Sequence, residues 1–272
     1  MIRLGQSQLI NPKEAVREFY TSIFQENIEL VIFFCSNEFD LDIIAEEINS
    51  LFRSVKVIGC TTAGEIGSLG YLNHSISGMS FQSDTCSVVT GVLENLNEFS
   101  ISQAHDLCQK LLQELEHKVS NSTIENKFAL MLIDGLSIKE ESVAYSLQRS
   151  LGAIPLFGGS AADGLNFSKT YVFNNGNFYC DSVILILMST SLPFKIFKTQ
   201  HFVSTQERLV VTQANTKERI VQEINGIPAT EEYARLLGIK KEELNHSHFA
   251  ASPVVVMIDG TDYVRSIQKA NP

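Results

Sequence analysis

Two short stretches of small residues are places where a main chain could meet a ligand. Gly59-Cys60-Thr61-Thr62-Ala63-Gly64-Glu65 closes an apolar run that starts at Val55, and Gly158-Gly159-Ser160-Ala161-Ala162-Asp163-Gly164 follows Pro155-Leu156-Phe157. Such loops admit a ligand close to the backbone and offer N–H groups to an anion; equally, they form tight turns packed on another backbone. On the ligand reading the contacts are Gly59, Cys60, Thr61 and Thr62 from the first stretch, and Gly158, Gly159, Ser160 and Asp163 from the second. Neither stretch has the G-x-x-x-x-G-K-[ST] or G-x-G-x-x-G spacing, so a nucleotide-phosphate loop is not indicated. Cys60 could act as a nucleophile or thiolate ligand, but no base is evident to lower its pKa, and a small buried residue is the plainer role. Asp134, before Gly135, could contact a ligand or cap a following helix. His201 ends an apolar run and could offer a neutral imidazole to a metal, or be an ordinary core or surface histidine. His246 and His248 form a His-x-His pair, a possible chelate or two solvated loop residues. No Ser/His/Asp order, paired carboxylates or H-E-x-x-H motif stands out, so catalysis is not expected.

The elements that must position these residues follow from apolar spacing. Asn11 to Phe24 is predicted as a helix, with Asn11 as N-cap and Pro12 at its first position. Leu30 to Cys35 is a short continuous apolar run, the mark of a strand covered on both faces. Asp40 to Phe52 is a helix, and Val55 to Cys60 a second strand. Ile76 to Phe81 and Cys86 to Val92 are strands predicted to pair as a hairpin. The next stretch repeats the order: a helix over His105–His117, a strand over Phe128–Ile133, a helix over Glu140–Leu151, then Leu156 and Phe157 running into the second glycine stretch. Tyr171–Phe173 and Phe178–Cys180 make a hairpin about an Asn-Gly turn. Ser182–Met188 and Phe194–His201 are two further strands. The strands and small-residue stretches recur at an offset of roughly a hundred residues, as an internal duplication would produce.

Beyond His201 the texture changes. Arg208–Asn215 and Arg219–Asn225 are predicted strands, and Thr230 can cap a helix over Glu231–Leu237 that stops at Gly238. Pro253–Ile258 and Tyr263–Ile267 form a hairpin through Asp259-Gly260-Thr261-Asp262. The chain stops at Asn271-Pro272, directly after a strand that wants a neighbour, so more sequence is expected downstream.

The expected fold is therefore α/β: an internally duplicated, β-α-β-rich N-terminal domain with mixed sheets over residues 1–205 (approximate repeats 28–100 and 125–202), then an incomplete α+β domain over 206–272. With 44% hydrophobic and 19% charged residues in a 272-residue chain, a folded core is expected rather than disorder. The formal charge of −10 is spread along the chain without a basic cluster, which disfavours nucleic acid and an anionic membrane surface. Met-Ile-Arg-Leu-Gly-Gln-Ser-Gln lacks an apolar leader, and the longest apolar run, around Ser182–Met188, is too short to span a bilayer, so a cytoplasmic location is expected. The five cysteines are odd in number and show no C-x-x-C pair, which argues for reduced, buried thiols.

Val57-Ile58-Gly59-Cys60-Thr61-Thr62-Ala63-Gly64-Glu65-Ile66 and Leu156-Phe157-Gly158-Gly159-Ser160-Ala161-Ala162-Asp163-Gly164 resemble the two motifs of FIST N domains. Glu223-Ile224-Asn225-Gly226-Ile227-Pro228-Ala229, with the short helix after it, resembles the start of a FIST C domain. The resemblance covers the chain from Leu30 onward. It implies an intracellular sensory protein that binds a small molecule or gas and regulates a histidine kinase or a cyclic-di-GMP enzyme. Phe197-Lys198-Thr199-Gln200-His201-Phe202 is similar to the nitric oxide sensing branch, which implies a haem cofactor with His201 as iron ligand. The alternative is a haem-free module for a small metabolite such as an amino acid, held by the two glycine-rich stretches; an enzyme using Cys60 comes after that. FIST C domains run well past the position of Pro272, so a partial one is expected here.

Overall fold

Helix starts follow the local chemistry closely. Asn11 Oδ1 accepts from the backbone N–H of Lys13 and Glu14, and Pro12 occupies the first turn, where a missing N–H is harmless. Asp40 caps the second helix through the N–H of Ile43, and Ser100 with Gln103 forms a reciprocal capping box on the third. The computed structural model describes residues 1–119, 123–164, 166–197, 199, 201–216, 218–258 and 260–270. Lys198 and Gln200 of the predicted haem-type segment, Asp259 of the last predicted turn, and the terminal Asn271 and Pro272 lie outside them. The chain divides into two compact units, Met1–Ile196 and Phe197–Pro272.

The first unit begins with β1 (Ile2–Ser7), α1 (Pro12–Ile23), β2 (Ile28–Ser36), α2 (Leu41–Leu51), β3 (Lys56–Thr62), the small β4 (Glu65–Gly67) and β5 (Gly70–Leu72), and β6 (Ile76–Gln82). It continues with β7 (Cys86–Leu93), α3 (Ile101–Lys118), β8 (Lys127–Ile133), α4 (Glu140–Leu151), β9 (Leu156–Ser160), β10 (Val172–Asn174), β11 (Asn177–Tyr179) and β12 (Val183–Thr190). The first sheet has the order β1-β6-β2-β3-β10-β11 and the second β7-β12-β8-β9. Both are mixed: β2 runs parallel to β3, and β8 to β9, while the other neighbours are antiparallel. Leaving aside β10 and β11, each sheet carries its own first, last, second and third long strand in the same spatial order. The registers agree as well, since Phe33 lies opposite Gly59 and Met131 opposite Gly158.

Four layers result. Helices α1 and α2 cover the outer face of the first sheet and α3 and α4 that of the second; the two inner faces share a core of their own. Strand β12 shows why its apolar run is unbroken. Val183, Leu185 and Leu187 face the α3/α4 layer, while Ile184, Ile186 and Met188 face the first sheet. Full burial of a side chain such as Phe33 stabilises the fold by about 1.5–3 kcal/mol.

Several expectations change here. Ile76–Phe81 and Cys86–Val92 do not form a hairpin: β6 pairs with β1 and β2, whereas β7 crosses to the other sheet and pairs with β12. The described part of Phe194–His201 has no strand, because Phe194 packs its ring on Phe128 at 4.8 Å instead of entering a ladder. The Asn-Gly hairpin is present as β10 and β11, with φ of 47° at Asn175 and 91° at Gly176. Although it follows β9 in sequence, it joins the first sheet, where Val172, Phe173 and Asn174 lie opposite Cys60, Gly59 and Ile58.

The second unit holds β13 (Val211–Asn215), β14 (Ile220–Ile224), β15 (Ile227–Pro228), α5 (Ala229–Leu237), α6 (His246–Ala251), β16 (Val254–Ile258) and β17 (Thr261–Arg265). Strands β13-β14-β15 form one sheet and β16-β17 a hairpin, and Ile224, Tyr233, Ala234 and Phe249 are buried. Helix α5 begins earlier than predicted, at Ala229, so Thr230 is inside it and is not its cap. His246 and His248 lie on α6 rather than in a loop, and residues two apart on a helix do not share a face.

Candidate functional site

Strands β2, β3, β8 and β9 all point their carboxyl ends to one side of the first unit, and the loops there define two adjoining clefts. In open α/β sheets this is where ligands commonly bind. The larger, of about 520 Å³, lies between the start of α2 (Asn37, Asp40, Asp42), the segment Ser168–Tyr171 and the hairpin residues Asn177 and Phe178. The smaller, of about 270 Å³, lies at the end of β8 and is bordered by Asn97, Asp134, Ser137, Thr170, Cys180 and Asp181. Ser168, Lys169 and Tyr171 border both. A single connection, from β9 to β10, thus forms the shared wall.

Asp163 shapes that connection. Its Oδ1 accepts from the N–H of Phe167 at 3.0 Å, and its Oδ2 accepts from the N–H groups of Ser168 and Lys169 at 2.7 and 3.0 Å and from the Ser168 hydroxyl at 3.2 Å. Burial pushes this carboxyl's pKa up, but the N–H donors outweigh it and hold the group below the usual carboxylate value. Thr61 secures the far end: its N–H donates to the Tyr171 carbonyl at 2.9 Å, and its Oγ1 accepts from the Tyr171 N–H at 3.0 Å.

Three buried or half-buried groups build the smaller cleft. Asp134, 5% exposed, accepts from the N–H of Leu136 at 2.9 Å, from the Thr170 hydroxyl and from the N–H of Asp181. It therefore closes a turn after β8, whereas the residue at the N-cap of α4 is Lys139. Asp181 adopts φ of 46°, and its Oδ2 accepts from Asn97 through both the backbone N–H and the side-chain amide. Its Oδ1 is sealed from solvent and has no hydrogen-bond partner among the described residues. A buried acceptor left in that state costs about 1–3 kcal/mol.

None of the eight ligand contacts expected from the glycine-rich stretches borders either cleft; the two stretches meet where Ala162 donates its N–H to the Thr61 carbonyl. Gly59 is a close approach: a Cβ there would lie 2.4 Å from the Phe33 carbonyl oxygen and 2.7 Å from its ring. Gly158 repeats this, with a Cβ 2.0 Å from the Met131 carbonyl oxygen, while Gly159 has open space. Cys60 lies in the core between the sheets, and burial pushes its thiol up to about 12, opposite to what a nucleophilic thiolate needs. Thr62 donates its hydroxyl to the Glu65 carboxylate, which also accepts from the Ser75 N–H and hydroxyl. Ser160 is exposed at the end of β9. Thr61 and Asp163 support the cleft wall from behind. Lys169, Tyr171 and Asp181, which do border the clefts, are in no motif, and only the fold assembles them.

A model of the FIST N domain matches residues 29–227, which is more than half of the chain. The chain belongs to the FIST family. FIST domains are assigned to sensing and ligand binding in signal transduction. No curated protein matches the chain. No helix among the described residues is long and apolar enough to cross a membrane.

The haem expected for one FIST branch would rest on His201. His201 is exposed, lies in a segment without helix or strand, and has its ring edge-on to Phe202 at 5.3 Å.

Proposed function

We propose that this FIST chain is a ligand-sensing module whose two adjoining clefts hold a small polar metabolite carrying an amine, in the size range of an amino acid. The observation that carries the reading is Asp181, which borders the smaller cleft together with Lys169 and whose Oδ1, buried just behind that surface, has no hydrogen-bond partner among the described residues. With the Asp181 side chain turned toward the cleft, a zwitterion would give it its ammonium and give its carboxylate to the Lys169 side, which matches each end to an opposite charge. Asp40 and Asp42 at the larger cleft add to the preference for a cation-bearing ligand.

Binding would order the Ser168–Tyr171 wall, and Thr61 and Asp163 tie that wall to both sheets. A partner protein that recognises the ordered wall would then see occupancy as a population shift. By family resemblance that partner is a histidine kinase or a cyclic-di-GMP enzyme in the cytoplasm. Haem-based nitric oxide sensing is a narrower version that rests on the Phe197–Phe202 resemblance alone.

Thermal denaturation against a panel of amino acids and simple amines tests the reading. A binder should raise the midpoint with concentration, as mass action requires. Asp181→Asn should remove that rise and His201→Ala should keep it. A panel without any shift, together with a Soret band lost in His201→Ala, would replace this reading with the haem one.

A further inference from the structure

Of the two sheets' four outer strands, β9 is the one whose edge is least protected. On β7, at the other edge of the second sheet, Val88 donates its N–H to Glu29 Oε1 at 3.0 Å and accepts Lys118 Nζ at 3.2 Å, so side chains plug the ladder. Strand β1 carries Arg3, and β11 is three residues long; charge and shortness both discourage pairing. Strand β9 reads Leu-Phe-Gly-Gly-Ser, without charge or proline, and is exposed from Phe157 to Ser160. Its apolar flank is also open: Phe157 is 40% exposed and Phe194 37%, both grouped on Phe128.

The backbone parity of β9 is fixed by two contacts. Ala161 N–H donates to Ile133 on the β8 side, and Leu156 N–H donates to Gln148 Oε1 away from it. Leu156, Gly158 and Ser160 therefore aim their peptide groups outward. The equivalent positions on β3 are Val57, Gly59 and Thr61, and there the outer edge is covered by an antiparallel strand, β10, with Phe173 opposite Gly59. The first sheet thus shows what this edge takes when it is filled.

We infer that β9 pairs antiparallel with β9 of a second copy of this chain, about a two-fold axis at Gly158. In that register Gly158 faces Gly158, and Leu156 faces Ser160 of the second copy. Outward groups then meet outward groups all along the strand. With Leu156 N–H kept by Gln148, about four inter-strand hydrogen bonds form. Phe157 comes to lie opposite Gly159 of the second copy, where a missing side chain leaves room for the ring. The second sheet becomes continuous across the dimer, a self-complementary arrangement of the commonest symmetry.

Sedimentation velocity over a concentration series, paired with residue-resolved amide exchange, tests this on the whole chain. The expected result is a monomer–dimer equilibrium in which the Gly158 and Ser160 amides gain protection with concentration, on the order of tenfold or more, while that of Leu156 does not change. Gly159→Lys, which has open space in the monomer, should leave the melting temperature unaltered at dilutions where the wild type is monomeric and should shift the equilibrium to monomer. A chain that stays monomeric at all concentrations overturns the inference. So does a dimer whose Gly158 and Ser160 amides exchange as fast as in the monomer, or one indifferent to Gly159→Lys.

Discussion

Ala162 donates its backbone N–H to the carbonyl oxygen of Thr61 at 2.9 Å, joining the connection that leaves β9 to the end of β3. One peptide hydrogen bond thus crosses from the second sheet to the first at the level of the clefts. The two small-residue stretches meet there, and through Tyr171 and Asp163 they fix the wall that both clefts share.

Asp163→Ala should loosen that wall with little effect on overall stability. The N–H groups of Phe167, Ser168 and Lys169 would lose an acceptor, but these residues are exposed and water can replace it, so the global cost should stay below about 1 kcal/mol. Faster amide exchange at 167–169 and quicker tryptic cleavage after Lys169 are the expected readouts. Acid should act similarly on the wild type. The folded pKa of Asp163 is depressed, so its stabilising effect is complete above the ordinary value of 3.8 and fades as pH falls through the lower folded value. A wall that loosens already near neutrality would contradict this assignment.

Three glycines should separate cleanly on substitution by alanine. Gly59→Ala and Gly158→Ala each drive a methyl group into a backbone carbonyl that a rotamer change cannot move, and each should cost about 1–3 kcal/mol in chemical denaturation. Gly159→Ala meets open space and should stay within about 0.5 kcal/mol of wild type. Equal effects at Gly158 and Gly159 would mean that the register of β8 and β9 is wrong.

Glu65 should make stability increase on mild acidification. Burial raises its pKa, and the hydrogen bonds from Ser75 and Thr62 oppose this only in part. A carboxyl with a raised folded pKa contributes fully below its unfolded value of 4.5 and loses that contribution as pH rises through the folded value. Denaturation at pH 7 and pH 5 should therefore show wild type gaining on Glu65→Gln as pH drops. A difference that does not vary with pH would refute the claim.

Alkylation should divide the thiols by location. Cys180 is exposed at the rim of the smaller cleft and should react first at neutral pH. Cys60, pushed up to about 12, and Cys86 and Cys108, each pushed up to about 11 by burial, should react only on unfolding. Cys35 belongs with them: burial, then the neighbouring Cys60 and Glu65, raises its thiol well above normal. Peptide mapping by mass spectrometry after brief iodoacetamide treatment gives the order, and a cleft-bound amino acid should slow Cys180 alone.

Much of the fold was legible because each long element carries its own periodic signal. The unbroken apolar run of β12 and the cap Asn11 are properties of neighbouring residues, and they placed those elements to within a few positions. The choice of sheet is not a local property. Ser83-Asp84-Thr85 joins β6 to β7 like a hairpin loop, yet β7 pairs across the core with β12. Strand β1 has no sequence signature, because its buried positions are filled by Gly5, Gln6 and Ser7 while Leu4 is 62% exposed, so it lacks an apolar stripe. The cleft was legible only at its supports. Asp163 and Thr61 stand in recognisable stretches; Asp181, Lys169 and Tyr171 acquire meaning when β10, which follows β9 in sequence, crosses to pair with β3.

That crossing also governs how the protein is made. The edge of β3 stays bare until the chain has grown past Tyr179, because its cover comes from β10 and β11. A ribosome would release the first half with an unpaired, glycine-containing strand end on display, the kind of surface that chaperones hold and aggregates recruit. Neither half is then a portable fragment. A cut between β6 and β7 would leave the first sheet short of two strands, and only the reunited pieces should recover a soluble first unit.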